Sequence, residues 1–280
     1  MPKKILFAVL IVISLFLCSS AVNKAITYDN DFIISLAKGL DKRWEDASSN
    51  YEDTTAYYEK ATQFELSEVG RYKERTFKDN KLKKLAIEYI NVLEDSKKLT
   101  SKENEHYSSD RWVEYRKKRY ELILDIHSRK KIPVQDTRHL RDIVNIGIKV
   151  KQANEIIQAL KKIFKGNNFT ISKSSENSDE LNCSATFENT TGYYLKYVPM
   201  AIEAYNKNGR VIFRKSDAAI IEWSEGTTKE LNLTVYDPNH EFNEIKVLLD
   251  EKYLQFREII LGITVKQKRG GCHSLFLLYK

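Results

Sequence analysis

The chain is short of the residues on which several kinds of site are built. Only three cysteines occur in 280 residues, Cys18, Cys183 and Cys272. A disulfide-stapled scaffold needs more, so the fold has to rest on an apolar core. The ten glycines are scattered, and neither a glycine-rich loop to cradle phosphate nor a Gly-x-Ser-x-Gly nucleophile turn can be found. The histidines His106, His127, His139, His240 and His273 have no His-x-x-x-His spacing, and no Cys-x-x-Cys accompanies them, so no zinc motif is written. Beyond the first residues no apolar run is long enough to span a bilayer. The reading is therefore a protein without catalysis, metal or cofactor. Carboxylate pairs for glycoside cleavage meet only in three dimensions, which leaves an envelope hydrolase as an alternative.

What is there begins with an address. Lys3 and Lys4 precede an apolar run from Ile5 to Leu17, with Ser14 its one polar residue, and Ser19-Ser20-Ala21 supplies the small residues of a cleavage site. These are the three parts of a secretory signal over residues 1–21, with cleavage expected after Ala21. Cys18 offers a second outcome, lipidation at the end of a lipoprotein signal. Leu15 fits that pattern, while Leu17 is bulkier than it asks for. A permanent anchor is a third. After Ala21 there remain 44 basic and 39 acidic residues, since the leader holds two lysines and no acid, for a formal charge of +5. That mild excess permits contact with an anionic wall polymer or membrane surface. Export, not charge, argues against nucleic acid.

The next stretch, expected as a domain over 29–165, has the grammar of helices. After the cap residues Asp29, Asn30 and Asp31, Phe32, Ile33, Leu36, Leu40 and Trp44 recur at helical spacing. A second helix is expected from Thr54 to Arg75, with Tyr57, Tyr58, Phe64, Leu66, Val69 and Tyr72 on its apolar side. A third, capped by Asp79 or Asn80, aligns Leu82, Leu85, Ala86, Tyr89, Leu93 and Ser96. A fourth, about 109–129, directs Trp112, Tyr115, Tyr120, Ile123 and Ile126 to a partner. Pro133 breaks the chain, and Asp136 opens a fifth helix ending at Gly166-Asn167. Each helix has one apolar stripe to bury, which predicts an antiparallel helical bundle. No heptad persists as a long coiled coil would need.

Near residue 166 the period changes from 3.6 to two, and a β domain is expected over 168–250. Leu181, Cys183, Ala185 and Phe187 alternate with polar residues, as do Leu231, Leu233 and Val235. Phe169-Thr170-Ile171 is a candidate opening strand. Others are expected at 181–188, 193–205, 210–214, 218–223, 230–236 and 244–249, with glycine-ended turns at Asn189–Gly192 and Asn206–Gly209. Pro199 cannot donate to a ladder, so its strand should lie at an edge or bulge there. Cys183 is either a small buried hydrophobe or a disulfide partner of Cys272. The extension 251–280 is open: Ile259–Val265 and Leu275–Tyr279 read as a final hairpin or as a loosely attached tail.

Four groups of residues invite functional readings beside plainer ones. Arg116, Lys117, Lys118 and Arg119 could meet anionic wall polymer or lipid, or be a solvated helix face; Arg129-Lys130-Lys131 could do the same, or offset a helix dipole. Asp237, His240, Glu241 and Glu244 could hold a cation, although Asp237-Pro238-Asn239 is a good turn by itself. The triplets at Asn168, Asn182, Asn189 and Asn232 match glycan acceptors, with Asn189 also needed for a turn.

The order FENTTGYYLKYVPMAIEAYNKNGRVI followed by IEWSEGTTKELNLTV resembles the FxLYD-type immunoglobulin-like domain of exported proteins and lipoproteins of Gram-positive bacteria. Ala204-Tyr205-Asn206 stands at the Leu-Tyr-Asp position, Gly209 ends the hairpin and Ser224-Glu225-Gly226 takes the later turn; Ala for Leu and Asn for Asp depart from the pattern. The resemblance covers about 181–250, and KDNKLKKLAIEYINVLEDSKK is similar to helical regions that precede such domains. It implies an immunoglobulin-like β-sandwich after the helices, in an α+β chain of two domains. The function it implies is a secreted or cell-surface binding or assembly module of the envelope with no catalytic residue to carry over. An envelope hydrolase or its inhibitor, and a membrane-tethered sensor domain, are the alternatives. Partners would be an anionic wall polymer, a membrane surface or an envelope protein.

Overall fold

Each stretch of helical period in the first half of the chain is a helix in the computed structural model, which describes residues 27–47, 54–100, 110–166, 169–173, 175 and 178–257. The helices are α1 (Asp29–Ala47), α2 (Thr54–Val69), α3 (Asn80–Thr100), α4 (Asp110–Arg129) and α5 (Thr137–Gly166). Seven strands follow among the described residues, which makes the chain α+β with its helices N-terminal. Cys18, Ala21, Cys272 and the two apolar runs after Glu258 lie outside the described residues. Among the described residues no helix is long and apolar enough to cross a membrane.

The chain divides into two compact units, residues 1–143 and 144–280. In the first, α1 packs on α2, α2 on α3 and α3 on α4. The buried stripe contains Phe32, Leu36 and Leu40 from α1, Tyr89 and Leu93 from α3, and Leu122, Ile123 and Ile126 from α4. Burial of each aliphatic side chain stabilises the unit by about 1.5–3 kcal/mol. Asp79 caps α3 as expected: its Oδ1 accepts the N–H groups of Lys81 at 2.9 Å and Leu82 at 3.1 Å. Asp136 does the same for α5 through His139, at 3.0 Å. Asp29 was expected to cap its own helix, but its carboxylate accepts the N–H groups of Lys78 and Asp79 at 2.8 and 2.9 Å. It therefore ties the start of α1 to the segment entering α3.

Helix α2 departs from the expected pattern. It ends at Val69, with Gly70–Tyr72 as a 3₁₀ turn, rather than running to Arg75. Its buried face is Ala61, Thr62, Glu65 and Val69, while Phe64 and Leu66 are half-buried. The stripe is centred on a carboxylate, four residues from Ala61 on one side and from Val69 on the other.

The second unit begins inside α5, not at the expected boundary between 165 and 168. Ile156, Ile157, Leu160 and Phe164 of α5 share one apolar cluster with Phe187, Val198 and Trp223 of the strands. The change from a period of 3.6 to two marks the end of the helix. It does not mark the end of a core, because a helix can serve a sheet with its last three turns or so.

The strands are β1 (Thr170–Lys173), β2 (Glu180–Glu188), β3 (Leu195–Asn206), β4 (Val211–Trp223), β5 (Thr228–Tyr236), β6 (Phe242–Leu249) and β7 (Gln255–Phe256). One sheet has the order β1-β2-β5; the other has β4-β3-β6, with β7 also on β3, and every pairing is antiparallel. Leu181, Cys183, Ala185 and Phe187 all face inward, as the alternation predicts. The segments expected as two strands at 210–214 and 218–223 are one strand, β4, interrupted where Met200 pairs with Ala218 and Ile202 with Lys215. Part of the extension after 250 belongs to the sheet, since Leu195 pairs with Phe256 and Tyr197 with Gln255.

Pro199 lies in β3, the central strand, and so not at an edge. The ladder accommodates it on both sides. Toward β4 the register shifts one residue on, between Met200 and Ile202. On the other side β6 pairs as far as Met200 and β7 resumes at Tyr197, so the Pro199 nitrogen falls in the gap. Its carbonyl accepts the Asp250 N–H at 2.9 Å.

Candidate functional site

The basic run on α4 does not act as one surface. Arg119, expected to meet anionic polymer, is only 6% exposed and turns into the helical core. Spacing explains the correction: Arg119 lies seven residues from both Trp112 and Ile126, at the centre of the buried stripe. Lys118 is exposed and reaches Glu88 at 3.6 Å. Arg116 lies over the Tyr58 ring at 5.9 Å, and Lys117 is half-buried. The second run is engaged as well: Arg129 pairs with Asp79 at 2.5 Å, Lys130 donates to Asn30, and Lys131 meets His127 at 3.5 Å.

Arg119 belongs to a buried polar cluster that the periodicity did not reveal. Glu65 of α2 is fully buried and receives a donor from each of the helices α1, α3 and α4. Arg43 Nη1 donates at 2.5 Å, Arg119 Nε and Nη2 at 3.0 and 2.6 Å, and the Tyr89 hydroxyl also donates. Burial pushes the Glu65 carboxyl up, but Arg119, Arg43 and the donated hydrogen bonds outweigh it and hold the group below the usual range. Burial and the Glu65 charge push the Tyr89 phenol up, so it stays a donor. Gly39 admits the close approach of α1: a Cβ there would stand 3.1 Å from the Glu65 Cα. With every oxygen lone pair engaged and no route from solvent, the cluster is a structural lock.

The acidic group near residue 237 resolves into a turn. Asp237 is buried, and its two oxygens accept the N–H groups of Glu241 and Phe242, each at 2.9 Å. His240 takes a positive φ of 53° in the same turn. The Asn189 side chain is likewise committed, with no exposed surface for a glycan. Its Nδ2 donates to the carbonyls of Tyr193 and Trp223 at 2.8 and 2.9 Å, and its Oδ1 accepts from the Thr191 N–H at 3.0 Å. Cys183 is buried and its thiol pKa is raised by that burial; its pairing with Cys272 falls outside the described residues.

Among the described residues, one feature that offers itself to a ligand is a groove of about 800 Å³ in the second unit. One wall is β6 along Asn243–Leu249, and the rest comes from Ile171 of β1, from Phe169 and from the end of α5. Both β1 and β6 end their sheets among the described residues. Phe164, at the base, meets the Phe187 ring edge-on at 5.3 Å, which fixes it to the core. Three lysines, Lys161, Lys165 and Lys246, and one acid, Glu244, line the groove. The sequence did not single it out, because it is made by two strand edges distant in the chain.

Compared with family models and with curated proteins, the chain matches none of either.

Proposed function

We propose that this protein is an exported, non-catalytic binding or assembly module of the bacterial cell envelope, in which a helical bundle precedes an immunoglobulin-like β-sandwich. The observation that carries the binding reading is the groove along β6, a concave surface beside a strand whose outer edge is unpaired among the described residues. The fold reading is supported by the strand orders β1-β2-β5 and β4-β3-β6, which correspond to strands A-B-E and C′-C-F of such a sandwich. The FxLYD-type resemblance agrees with the hairpin ending at Gly209, whose φ is 73°. Export is supported by Lys3, Lys4 and the apolar run Ile5–Leu17. Non-catalysis is supported by the commitment of Glu65 and Asp237 to internal hydrogen bonds.

Fractionation of native host cells, followed by co-purification from intact envelope, tests this reading. The expected result is protein in the medium or on the cell surface, retaining one envelope component reproducibly. Confinement to the cytosol would overturn it. So would release of wall-polymer fragments by the purified protein that a single carboxylate-to-amide change abolishes.

A further inference from the structure

The groove beside β6 has a chemistry of its own. Among the described residues β6 pairs only with β3, so one edge of its ladder faces the groove along Asn243–Leu249. Seven residues of strand present about 20 Å of backbone at ~3.4 Å per residue. Peptide N–H and C=O groups along such an edge are open to water, and another extended backbone can pair with them in series. Beneath that edge lie Phe164, Phe169 and Ile171, which would take apolar side chains projecting from alternate residues of the incoming strand. Of the three lysines, Lys161 pairs with Glu251 at 2.5 Å and Lys246 with Glu244 at 2.9 Å, so Lys165 supplies the positive charge that the lining offers an incoming chain.

We propose that this groove is a strand-addition site, which accepts an extended segment of a partner protein with apolar residues at alternate positions and acidic residues at its flanks. Main-chain pairing to β6 supplies affinity, and the apolar floor and Lys165 supply selection. A globular surface or a polysaccharide could meet single groups of the β6 edge but would not continue its ladder. The inference rests on the reading of the protein as a binding module and names what that module binds.

Its test uses the full chain and a labelled synthetic peptide, Glu-Val-Thr-Val-Thr-Val-Glu, followed by fluorescence anisotropy. Saturable binding is expected, with a loss of about tenfold or more when both glutamates become lysine and no binding when the backbone amides are N-methylated. Lys165→Glu should reverse the preference for acidic flanks, and Ile171→Asp should weaken binding by about tenfold. Both positions are exposed, so the variants are expected to fold. Equal binding of the methylated peptide, indifference to the flanks, or no saturable binding would each overturn the proposal. Dimerisation that Ile171→Asp abolishes would assign the groove to a second copy and overturn it too. The same holds if the β6 edge amides of the isolated chain resist hydrogen exchange at every protein concentration. If envelope capture persists unchanged in Ile171→Asp while the peptide fails to bind, the strand-addition site falls and the module reading stands.

Discussion

The two units bury polar side chains by different means. In the helical unit, Glu65 is satisfied by other side chains, Arg43, Arg119 and Tyr89. In the β unit, Asn189, Asn206 and Asp237 are satisfied largely by backbone: Asn206 Oδ1 accepts the N–H groups of Asn208 and Arg210 at 3.0 and 2.9 Å, much as Asp237 accepts two of its own. The difference lies in position within an element rather than in helix against sheet. Glu65 is in mid-helix, where neighbouring peptide groups are already paired, so only side chains remain to meet it. Asn189, Asn206 and Asp237 stand at strand ends, where peptide groups are free. Glu203 supports this reading from within the β unit. It is buried in the middle of β3, with strands on both sides, and is met by Arg214 at 3.3 Å and by the Tyr205 hydroxyl.

The largest expected effect breaks the mid-helix case. Glu65→Ala strands two buried guanidinium groups and should destabilise the helical unit by about 3–5 kcal/mol, measured by urea unfolding followed through helical circular dichroism. Replacing Arg43, Glu65 and Arg119 together with Met, Leu and Met should cost far less or nothing, because no buried charge is left alone. A triple variant as damaged as Glu65→Ala would show that the ion pairs themselves carry the stability. The strand-end case is expected to be milder: Asn189→Ala removes the amide donor shared by the Tyr193 and Trp223 carbonyls, leaving Tyr193 the longer bond from the Thr191 hydroxyl at 3.4 Å, and should cost about 2–3 kcal/mol. Asn189→Asp should cost at least as much, since it sets a carboxylate against those carbonyls. If Asp is tolerated, turn propensity rather than the amide bridge holds the site.

The same distinction explains what could be read from the sequence. Asp79 and Asp136 were legible as helix caps, and Asn189 and Asn206 as turn residues, because an end announces itself locally. The inward alternation of β2 was legible too, since a period of two needs no knowledge of the partner. Glu65 and Arg119 were not, because apolar periodicity counts a charged residue as surface wherever it falls. The spacing still held the signal: Arg119 sits seven residues from Trp112 and from Ile126, and Glu65 four from Ala61 and Val69. Neither the core shared by α5 and the strands nor the groove at β6 has a local signature. Both depend on which elements meet in space, and that is set by packing over long sequence separation.

A smaller effect sharpens the account of how α1 reaches Glu65. Gly39→Ala places a methyl 3.1 Å from the Glu65 Cα, a backbone atom that cannot swing aside. The helices must part by a few tenths of an ångström, at about 1–2 kcal/mol, despite the better helix propensity of alanine. Parting them also lengthens the Arg43 contact, so Gly39→Ala and Arg43→Met should be less than additive when combined. Full additivity of the two in urea unfolding would place the strain elsewhere than at the cluster.

The smallest effect is confined to acid and separates end carboxylates from the buried one. Asp79, at the start of α3, is held down to about 2 from its usual 3.8, first by the hydrogen bond from Arg129, which outweighs the opposing desolvation, and then by the Leu82 and Lys81 N–H groups. A carboxyl whose folded pKa is depressed adds stability that is complete above its unfolded value and is lost as pH falls through the folded one. The stabilisation by Asp79 should therefore be constant above pH 3.8 and decline toward pH 2. Asparagine caps helices as well as aspartate does, so Asp79→Asn keeps the cap and removes only the charge that Arg129 meets. The stability difference between the two proteins, followed by thermal unfolding across that range, should shrink as pH falls, and more weakly at high salt because the pair is exposed. A difference that does not change with pH would mean that the Asp79 carboxylate contributes through the cap alone, and that Arg129 is not its partner in solution.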